Sequence, residues 1–148
     1  MNNPVSYILL KLSANAYAQT ADNIGIALDG TMAFSVDAWV KFNGLCSTAS
    51  ILSKDGVFNL GISGNMVVFQ IDGYPPVQSD PSKQSLNDET WHYICATYEQ
   101  GHVRIFIDGE FNVFQSISGT GQSTTSPFLL GHGLQALVKS VRVYNLAL

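Results

Sequence analysis

Four Asp-Gly dipeptides separate apolar segments along this chain, and they constrain its fold more than any other feature of the sequence. They are Asp29-Gly30, Asp55-Gly56, Asp72-Gly73 and Asp108-Gly109. Asp-Gly favours tight hairpin turns, because both residues tolerate a positive φ angle. The repeated dipeptide therefore predicts a series of antiparallel strands joined by short turns.

Apolar and polar residues alternate within the segments between these turns. The clearest case is 34–42, where one face carries Phe34, Val36, Ala38, Val40 and Phe42 and the other carries Ser35, Asp37, Trp39 and Lys41. A period of two is typical of a strand with one buried face. Similar segments lie at 7–12, 51–54, 58–62, 66–71, 92–98, 103–107, 128–131 and 138–144. With no clear helical periodicity, the chain is predicted to be an all-β sandwich or barrel, with loops at 73–88 and 119–126.

Length and charge limit the classes of protein to which the chain can belong. At 148 residues, 46% of them hydrophobic, the chain suits a single domain spanning 1–148. A net charge of −4 without a basic stripe argues against nucleic acid as the main partner. No apolar run approaches the roughly 20 residues needed for membrane insertion. No signal peptide is visible, so we expect either a cytoplasmic protein or a secreted or cell-surface protein whose leader has been removed.

Four segments carry a more specific signal. They are Phe-Ser-Val-Asp-Ala-Trp-Val from Phe34, Ile-Leu-Ser-Lys-Asp-Gly from Ile51, the pair of segments from Trp91 and Val103, and the terminal segment from Val141. Their order and spacing resemble the laminin G-like domains of the concanavalin A-like lectin superfamily. The resemblance implies an antiparallel two-sheet jelly-roll sandwich that binds carbohydrate.

The segment from Trp91 also resembles pentraxins, in which a half-cystine at the place of Cys95 bridges to the strand that matches 34–40. The partner position here is Asp37. If residue 37 lies near residue 95, Cys46 is displaced by nine residues, roughly 30 Å along the strand. A disulfide tolerates at most about 7 Å between Cα atoms, so Cys46 and Cys95 are predicted to be unbridged.

Calcium is the metal that this resemblance implies. Pentraxins and many laminin G modules bind it with carboxylates and carbonyls on rim loops. In this chain the loops 43–50 and 131–137 contain no acid, so the pentraxin-like ligands are not matched and no cofactor is predicted. Asp55, Asp72 and Asp80 remain as carboxylates for a different calcium site, although aspartates at such turns more often only form the turn.

Catalytic patterns are absent from the sequence. Glycoside hydrolases, which some members of this superfamily are, need two carboxylates roughly 5 to 9.5 Å apart. No predicted strand carries two acids at alternate positions, and the glutamates Glu89, Glu99 and Glu110 lie beside turns or at strand ends. No zinc-ligand spacing of histidines and no Gly-x-Ser-x-Gly turn is present, and His92 is best interpreted as a packed or hydrogen-bonded strand residue. We therefore expect no enzyme, and an active site invisible in the sequence is the weakest alternative.

Two surfaces combine aromatic rings with planar polar groups, which is the pairing that sugars require. The first is the polar strand face, with Asp37, Trp39, Tyr93, Arg104 and Phe106. Its alternative is an outer layer in which Asp37 only pairs with Arg104 to stabilise the sheet. The second is a proline-stiffened loop with Asp72 and Tyr74, joined by His132 at the rim. Its alternatives are a loop packed over a sheet edge and a histidine that serves only its turn.

These features favour a non-catalytic, lectin-like module whose partner is a carbohydrate or glycoconjugate. The alternative function is a protein-protein interaction or self-assembly domain of laminin G type that binds no sugar. Low charge and positive mean hydropathy suit a homo-oligomer held by a sheet edge or by the terminal strands. The two functions differ in whether Trp39 and Tyr74 are open to solvent or buried against another chain.

Overall fold

The structure is a computed structural model. It describes residues 10–12, 18–19, 33–42, 46–86, 88–118, 126–133, 136–144 and 146–148, and of 10–12, 18–19, 46–47 and 132 it describes the backbone. The strands in this part of the chain are β1 (Leu10–Leu12), β2 (Ala18–Gln19), β3 (Phe34–Phe42), β4 (Cys46–Lys54), β5 (Phe58–Gly64), β6 (Met66–Ile71), β7 (Val77–Gln78), β8 (Trp91–Glu99), β9 (His102–Ile107), β10 (Glu110–Ser116), β11 (Phe128–His132) and β12 (Ala136–Tyr144). The predicted all-β fold is confirmed.

The strands form two sheets. The first sheet has the order β1-β12-β3-β8-β9-β10, and the second has the order β2-β11-β4-β5-β6-β7. Every pair of neighbouring strands in both sheets is antiparallel. The two sheets pack face to face as the predicted sandwich, and each presents its outer face away from the other.

The core fills the space between the sheets with the inward side chains of both. The predicted inward face of β3, from Phe34 to Phe42, is fully buried. The ring of Phe34 lies 5.5 Å from that of Phe58 and 5.6 Å from that of Tyr98, so it joins the two sheets. Apolar burial of this kind is the main favourable contribution to folding.

Three of the four predicted Asp-Gly turns lie in the described residues, and in all three both residues of the dipeptide are in a turn. At Asp108 and Gly109 both φ angles are positive, 56° and 80°, as a tight turn between β9 and β10 requires. The Asp29-Gly30 turn, residues 7–9 and most of the predicted loop 119–126 lie outside the described residues. Within the described part of the chain there is no helix that could span a membrane.

The predicted register between β3 and β8 is confirmed, because Asp37 is directly opposite Cys95. Cys95 is a free, buried cysteine, as expected. Burial, followed by the nearby Asp37 carboxylate, raises the pKa of this thiol to about 11. The thiol therefore stays protonated at neutral pH, which makes it unreactive. The side chain of Cys46 lies outside the described residues.

Candidate functional site

The outer face of the first sheet carries both tryptophans of the chain. Trp39 on β3 is directly opposite Tyr93 on β8, and their ring centroids are 5.4 Å apart. Trp91 lies two residues before Tyr93 on β8, and its side chain is therefore on the same face of the strand. Together with Lys139 on β12, which is directly opposite Trp39, these residues define what we call the aromatic face.

Lys139 lies over both indoles of the aromatic face. Its Nζ atom is 4.3 Å from the centroid of Trp91 and 5.5 Å from that of Trp39. Cation–π attraction of this kind contributes about 0.5 to 1 kcal/mol at exposed sites and holds the ammonium in place. All four side chains of the aromatic face are partly exposed.

Asp37 lies beneath this face and anchors it. Its carboxylate is fully buried and accepts two hydrogen bonds of 2.9 Å from the guanidinium of Arg142. The hydroxyl of Tyr93 donates a third, of 2.6 Å. Burial of the hydroxyl, followed by this bond to a carboxylate, raises the pKa of Tyr93. The phenol is therefore a neutral donor whose ring is fixed beside Trp39.

Arg142 reaches Asp37 because β12 is irregular. In a straight strand, residues 138 and 142 would share one face, and Val138 points into the core. Between Lys139 and Arg142 the register with β3 shifts, and Ser140 adopts a φ of 55°. This bulge turns Arg142 to the outer face, directly opposite Asp37. Sequence reasoning missed Arg142, because a plain alternating pattern places its side chain inside.

Arg104 and Phe106 lie on the same outer face but contact different partners. The Arg104 guanidinium is 5.1 Å from the ring of Phe114, and the ring of Phe106 meets that of Phe111 edge-on at 6.0 Å. Asp37 pairs with Arg142, so its predicted alternative pairing with Arg104 is wrong. We call Arg104, Phe106, Phe111 and Phe114 the edge cluster, since β10 is the last strand of its sheet in the described chain.

A cleft of about 550 Å³ opens on the outer face of the second sheet. It is lined by Ser50, Ser53, Lys54, Asp55, Gly56, Val57, Phe58, Asn59, Gln70, Asp72, Ser126, Pro127 and Leu129. Of the residues predicted for the proline loop, Asp72 lies on the rim of this cleft. Asn59 and Gln70 were not predicted, because isolated amides on alternating strands resemble any solvated face.

Tyr74 and His132 are placed differently from Asp72. Tyr74 is partly buried and packs against the core, while its backbone carbonyl accepts a hydrogen bond of 2.8 Å from Gln70. This arrangement corresponds to the predicted alternative of a loop packed over the sheet. The backbone of His132 ends β11, and its side chain lies outside the described residues.

His92 has a structural role at the end of the first sheet, as its sequence context predicts. Its Nδ1 atom is 2.8 Å from Asp108 and its Nε2 atom is 2.7 Å from Asp88. Burial of the ring opposes protonation, but the hydrogen bonds to Asp108 and Asp88 outweigh it and raise the pKa of His92. The imidazole thus ties the segment before β8 to the turn after β9.

No group of three or more His, Cys, Asp or Glu side chains in the described ranges is arranged to hold a metal ion. Of the three aspartates considered for calcium, Asp80 accepts hydrogen bonds of 2.9 and 2.7 Å from the backbone and hydroxyl of Ser82. These bonds lower the pKa of Asp80. Asp55 and Asp72 are exposed on the rim of the cleft.

Solved structures with this fold include several binding domains. The binding domain of Paraclostridial Mosquitocidal Protein 1 matches 96% of this chain, with a TM-score of 0.79 and 15% sequence identity. The binding domain of botulinum neurotoxin serotype D also matches 96% of this chain, with a TM-score of 0.68 and 17% sequence identity. The chain spans only 40% of the length of either. Domain 4 of AbnA, an extracellular arabinanase from Geobacillus stearothermophilus solved with arabinotriose, matches 99% of this chain and 78% of its own length, with a TM-score of 0.72 and 16% identity.

Sequence comparisons agree with the fold at the level of the superfamily. Among curated proteins, none matches this chain in sequence. A family model described as the concanavalin A-like lectin/glucanases superfamily matches residues 12–148. That description includes both binding proteins and enzymes. The match covers nearly the whole chain and all twelve described strands except part of β1, and this protein therefore belongs to the concanavalin A-like lectin/glucanase superfamily.

Proposed function

We propose that this protein is a non-catalytic carbohydrate-binding module and that its aromatic face holds the sugar. The observation that carries the proposal is the position of Lys139 between Trp39 and Trp91, with Tyr93 beside them. Sugar rings stack their apolar C–H faces on aromatic rings and pair their hydroxyls with fixed donors. The aromatic face provides both within one patch.

Preorganisation supports this assignment. The ring of Tyr93 is fixed by its hydrogen bond to Asp37, and Asp37 is itself fixed by the two bonds from Arg142. Aromatic side chains that are already ordered lose little rotamer entropy when a ligand binds. The free energy of stacking a sugar on these rings is therefore offset by only a small loss of side-chain entropy.

The charge of this surface points to glycans that carry a carboxylate. Lys41 lies directly opposite Trp91, and Lys139 lies over its ring. Among the described residues, neither ammonium has a carboxylate partner within 4.0 Å. In a protein of net charge −4, two such cations beside aromatic rings suit a uronic or sialic acid better than a neutral sugar.

The placement of the acids supports a non-catalytic role. A glycoside hydrolase keeps its general acid protonated in a water-poor site close to a second carboxylate. Among the described residues, the carboxylate beneath the aromatic face is Asp37, which is buried and accepts three hydrogen bonds. Asp55 and Asp72 in the cleft are exposed on turns. We infer that the domain binds sugar without cleaving it.

A glycan array tests this proposal. We expect the wild-type chain to bind acidic glycans, and we expect Trp39→Ala and Lys139→Met to lose that binding by about tenfold or more. Gln78→Ala is the matched control, because Gln78 is exposed on the opposite sheet. An array on which wild type and Trp39→Ala bind equally would contradict the proposal.

A second candidate function is self-association through the edge cluster. Phe111 and Phe114 are 51% and 46% exposed on β10, and large exposed apolar side chains on an edge strand favour contact with another chain. Sedimentation over a concentration series tests it. Dimers that dissociate in Phe111→Ser/Phe114→Ser would support this function, and a wild-type chain that stays monomeric at high concentration would exclude it.

A further inference from the structure

The cleft of the second sheet is built from four adjacent strands. In the pairing register Leu129, Ser53, Asn59 and Gln70 form one row across β11, β4, β5 and β6. At about 4.8 Å between neighbouring strands, this row is roughly 14 Å long. The cleft therefore runs across the strands and is long enough for an extended ligand.

One end of the cleft is closed by turns that are fixed to one another. The hydroxyl of Ser126 donates a hydrogen bond of 2.6 Å to the backbone carbonyl of Asp55. The backbone amide of Asp72 donates one of 3.0 Å to the carbonyl of Val57. Below them the fully buried Lys54 donates to the carbonyl of Ser126, and its ammonium lies 5.0 Å from the ring of Phe128. This end of the cleft is thus formed before any ligand arrives.

The polar groups of the cleft include both donors and acceptors. The Oδ1 atom of Asn59 accepts a hydrogen bond of 2.7 Å from the hydroxyl of Ser50, and the NH₂ group of the same amide is a donor. Gln70 donates to the backbone of Tyr74, which orients its amide. The exposed carboxylate of Asp72 adds an acceptor, while Pro127 and Leu129 form an apolar wall. Hydroxyl groups, which both donate and accept, match this combination.

The charge of the cleft selects among hydroxylated ligands. Of the described residues that line it, Asp55 and Asp72 carry exposed carboxylates, and the ammonium of Lys54 is buried and donates to the carbonyl of Ser126. Two carboxylates at the rim repel an acidic ligand and accept hydrogen bonds from a neutral one. The ligand class that fits is a short neutral oligosaccharide.

We propose that this cleft is a second binding site, for a neutral oligosaccharide, on the side of the sandwich opposite the aromatic face. It does not depend on the function proposed for the aromatic face, because the two surfaces share no residue and lie on different sheets. The cleft contains no tryptophan. A ligand held there leaves the environment of both tryptophans unchanged.

The experiment is an NMR titration of the ¹⁵N-labelled chain with neutral trisaccharides, namely arabinotriose, xylotriose, cellotriose and maltotriose, each to millimolar concentration. We expect at least one of them to produce saturable shifts of the backbone amides of Ser53, Asn59 and Gln70. In Asn59→Ala/Gln70→Ala the affinity should fall by about tenfold or more, because two paired polar groups are lost. Gln78→Ala, on the same sheet but outside the cleft, should bind as wild type does.

Trp39→Ala separates this site from the aromatic face. Shifts in the cleft should persist in Trp39→Ala at unchanged affinity. If no trisaccharide shifts the cleft amides, or if the shifts survive in Asn59→Ala/Gln70→Ala, the second site is wrong. Shifts confined to the first sheet would overturn it as well, while leaving the proposal for the aromatic face intact.

Discussion

At the scale of single residues, the most consequential feature is a buried carboxylate in the middle of a sheet. Asp37 is 0% exposed, and burying such a charge is unfavourable unless it is paired and hydrogen-bonded. Arg142 and Tyr93 supply three bonds, and the described residues contain no buried side-chain N or O atom without a partner. This small network fixes the ring of Tyr93, which lies beside that of Trp39.

Removing Arg142 should therefore destabilise the fold. We expect Arg142→Met to lower the free energy of unfolding by about 3 kcal/mol, because the charge of Asp37 stays buried without its main partner. The second change in Asp37→Asn/Arg142→Met should recover part of this loss. Urea denaturation measures both values. Lys139→Met is the control, since a partly exposed cation contributes less than about 1 kcal/mol. Equal effects of Arg142→Met and Lys139→Met would contradict this role.

His92 makes stability depend on pH. Its pKa is raised in the folded state above the ordinary value of 6.5, so its contribution is fully present below pH 6.5. That contribution is lost as the pH rises through the folded pKa. We expect the wild type to become less stable as the pH rises above 6.5, and His92→Gln to show a flatter profile. Thermal unfolding across this range is the measurement, and identical profiles would show that the histidine is not coupled to folding.

At the scale of elements, sequence alternation predicts regular strands and fails at irregular ones. The bounds of β3 and β6 agree with the sequence pattern, because their inward residues alternate without interruption. β10 was not predicted, since Asn112 is its buried residue while Phe111 and Phe114 are exposed. The side-chain amide of Asn112 accepts a hydrogen bond of 2.6 Å from the backbone amide of Asp80 and donates one of 3.2 Å to its carbonyl. These two bonds explain why the inward position of β10 is polar.

The bulge in β12 explains why the candidate site was only partly predicted. Trp39 and Tyr93 follow from alternation alone, and the structure pairs them. Lys139 also faces outward by alternation, because its neighbour Val138 is buried, whereas Arg142 depends on a shift of register at Ser140 that no local sequence signal marks. The irregular pairing of β12 with β3 therefore decided that Arg142, and not Arg104, joined Asp37.

Gly61 on β5 lies where the backbone of β4 leaves no room for a side chain. A Cβ atom at Gly61 would lie 2.5 Å from the backbone oxygen of Ala49, closer than atoms can approach. The β4 register shifts between Ser50 and Leu52, directly beside this contact. We expect Gly61→Ala to cost about 1 to 3 kcal/mol in urea denaturation, because backbone must move. Ser53→Ala on the same sheet should change stability by less than about 0.5 kcal/mol, and a similarly small effect of Gly61→Ala would refute the close contact.

At the scale of the whole molecule, the sandwich places two different surfaces on opposite sides. The first sheet presents aromatic rings with Lys41 and Lys139, whereas the second presents a cleft rimmed by Asp55 and Asp72. The inward faces of both sheets form one core, so both proposed sites lie on outer faces. A domain with both sites can hold two saccharides of different charge that point in opposite directions.

Salt should separate the two surfaces. Binding of an acidic glycan at the aromatic face should weaken as ionic strength rises, because partly exposed charges are screened within about 10 Å at 0.1 M salt. Binding of a neutral trisaccharide in the cleft should change little. Calorimetric titrations at low and high salt measure both, and equal salt dependence for the two ligand classes would argue against a charge difference between the sites.

Tryptophan fluorescence tests the central claim most directly, because the chain has two tryptophans, Trp39 and Trp91, and both lie on the aromatic face. An acidic glycan identified on the array would be titrated into the wild-type chain while the emission is recorded. We predict a saturable change in emission whose midpoint equals the dissociation constant from calorimetry and which is lost in Lys139→Met. A glycan that binds by calorimetry and leaves the emission unchanged would contradict the account.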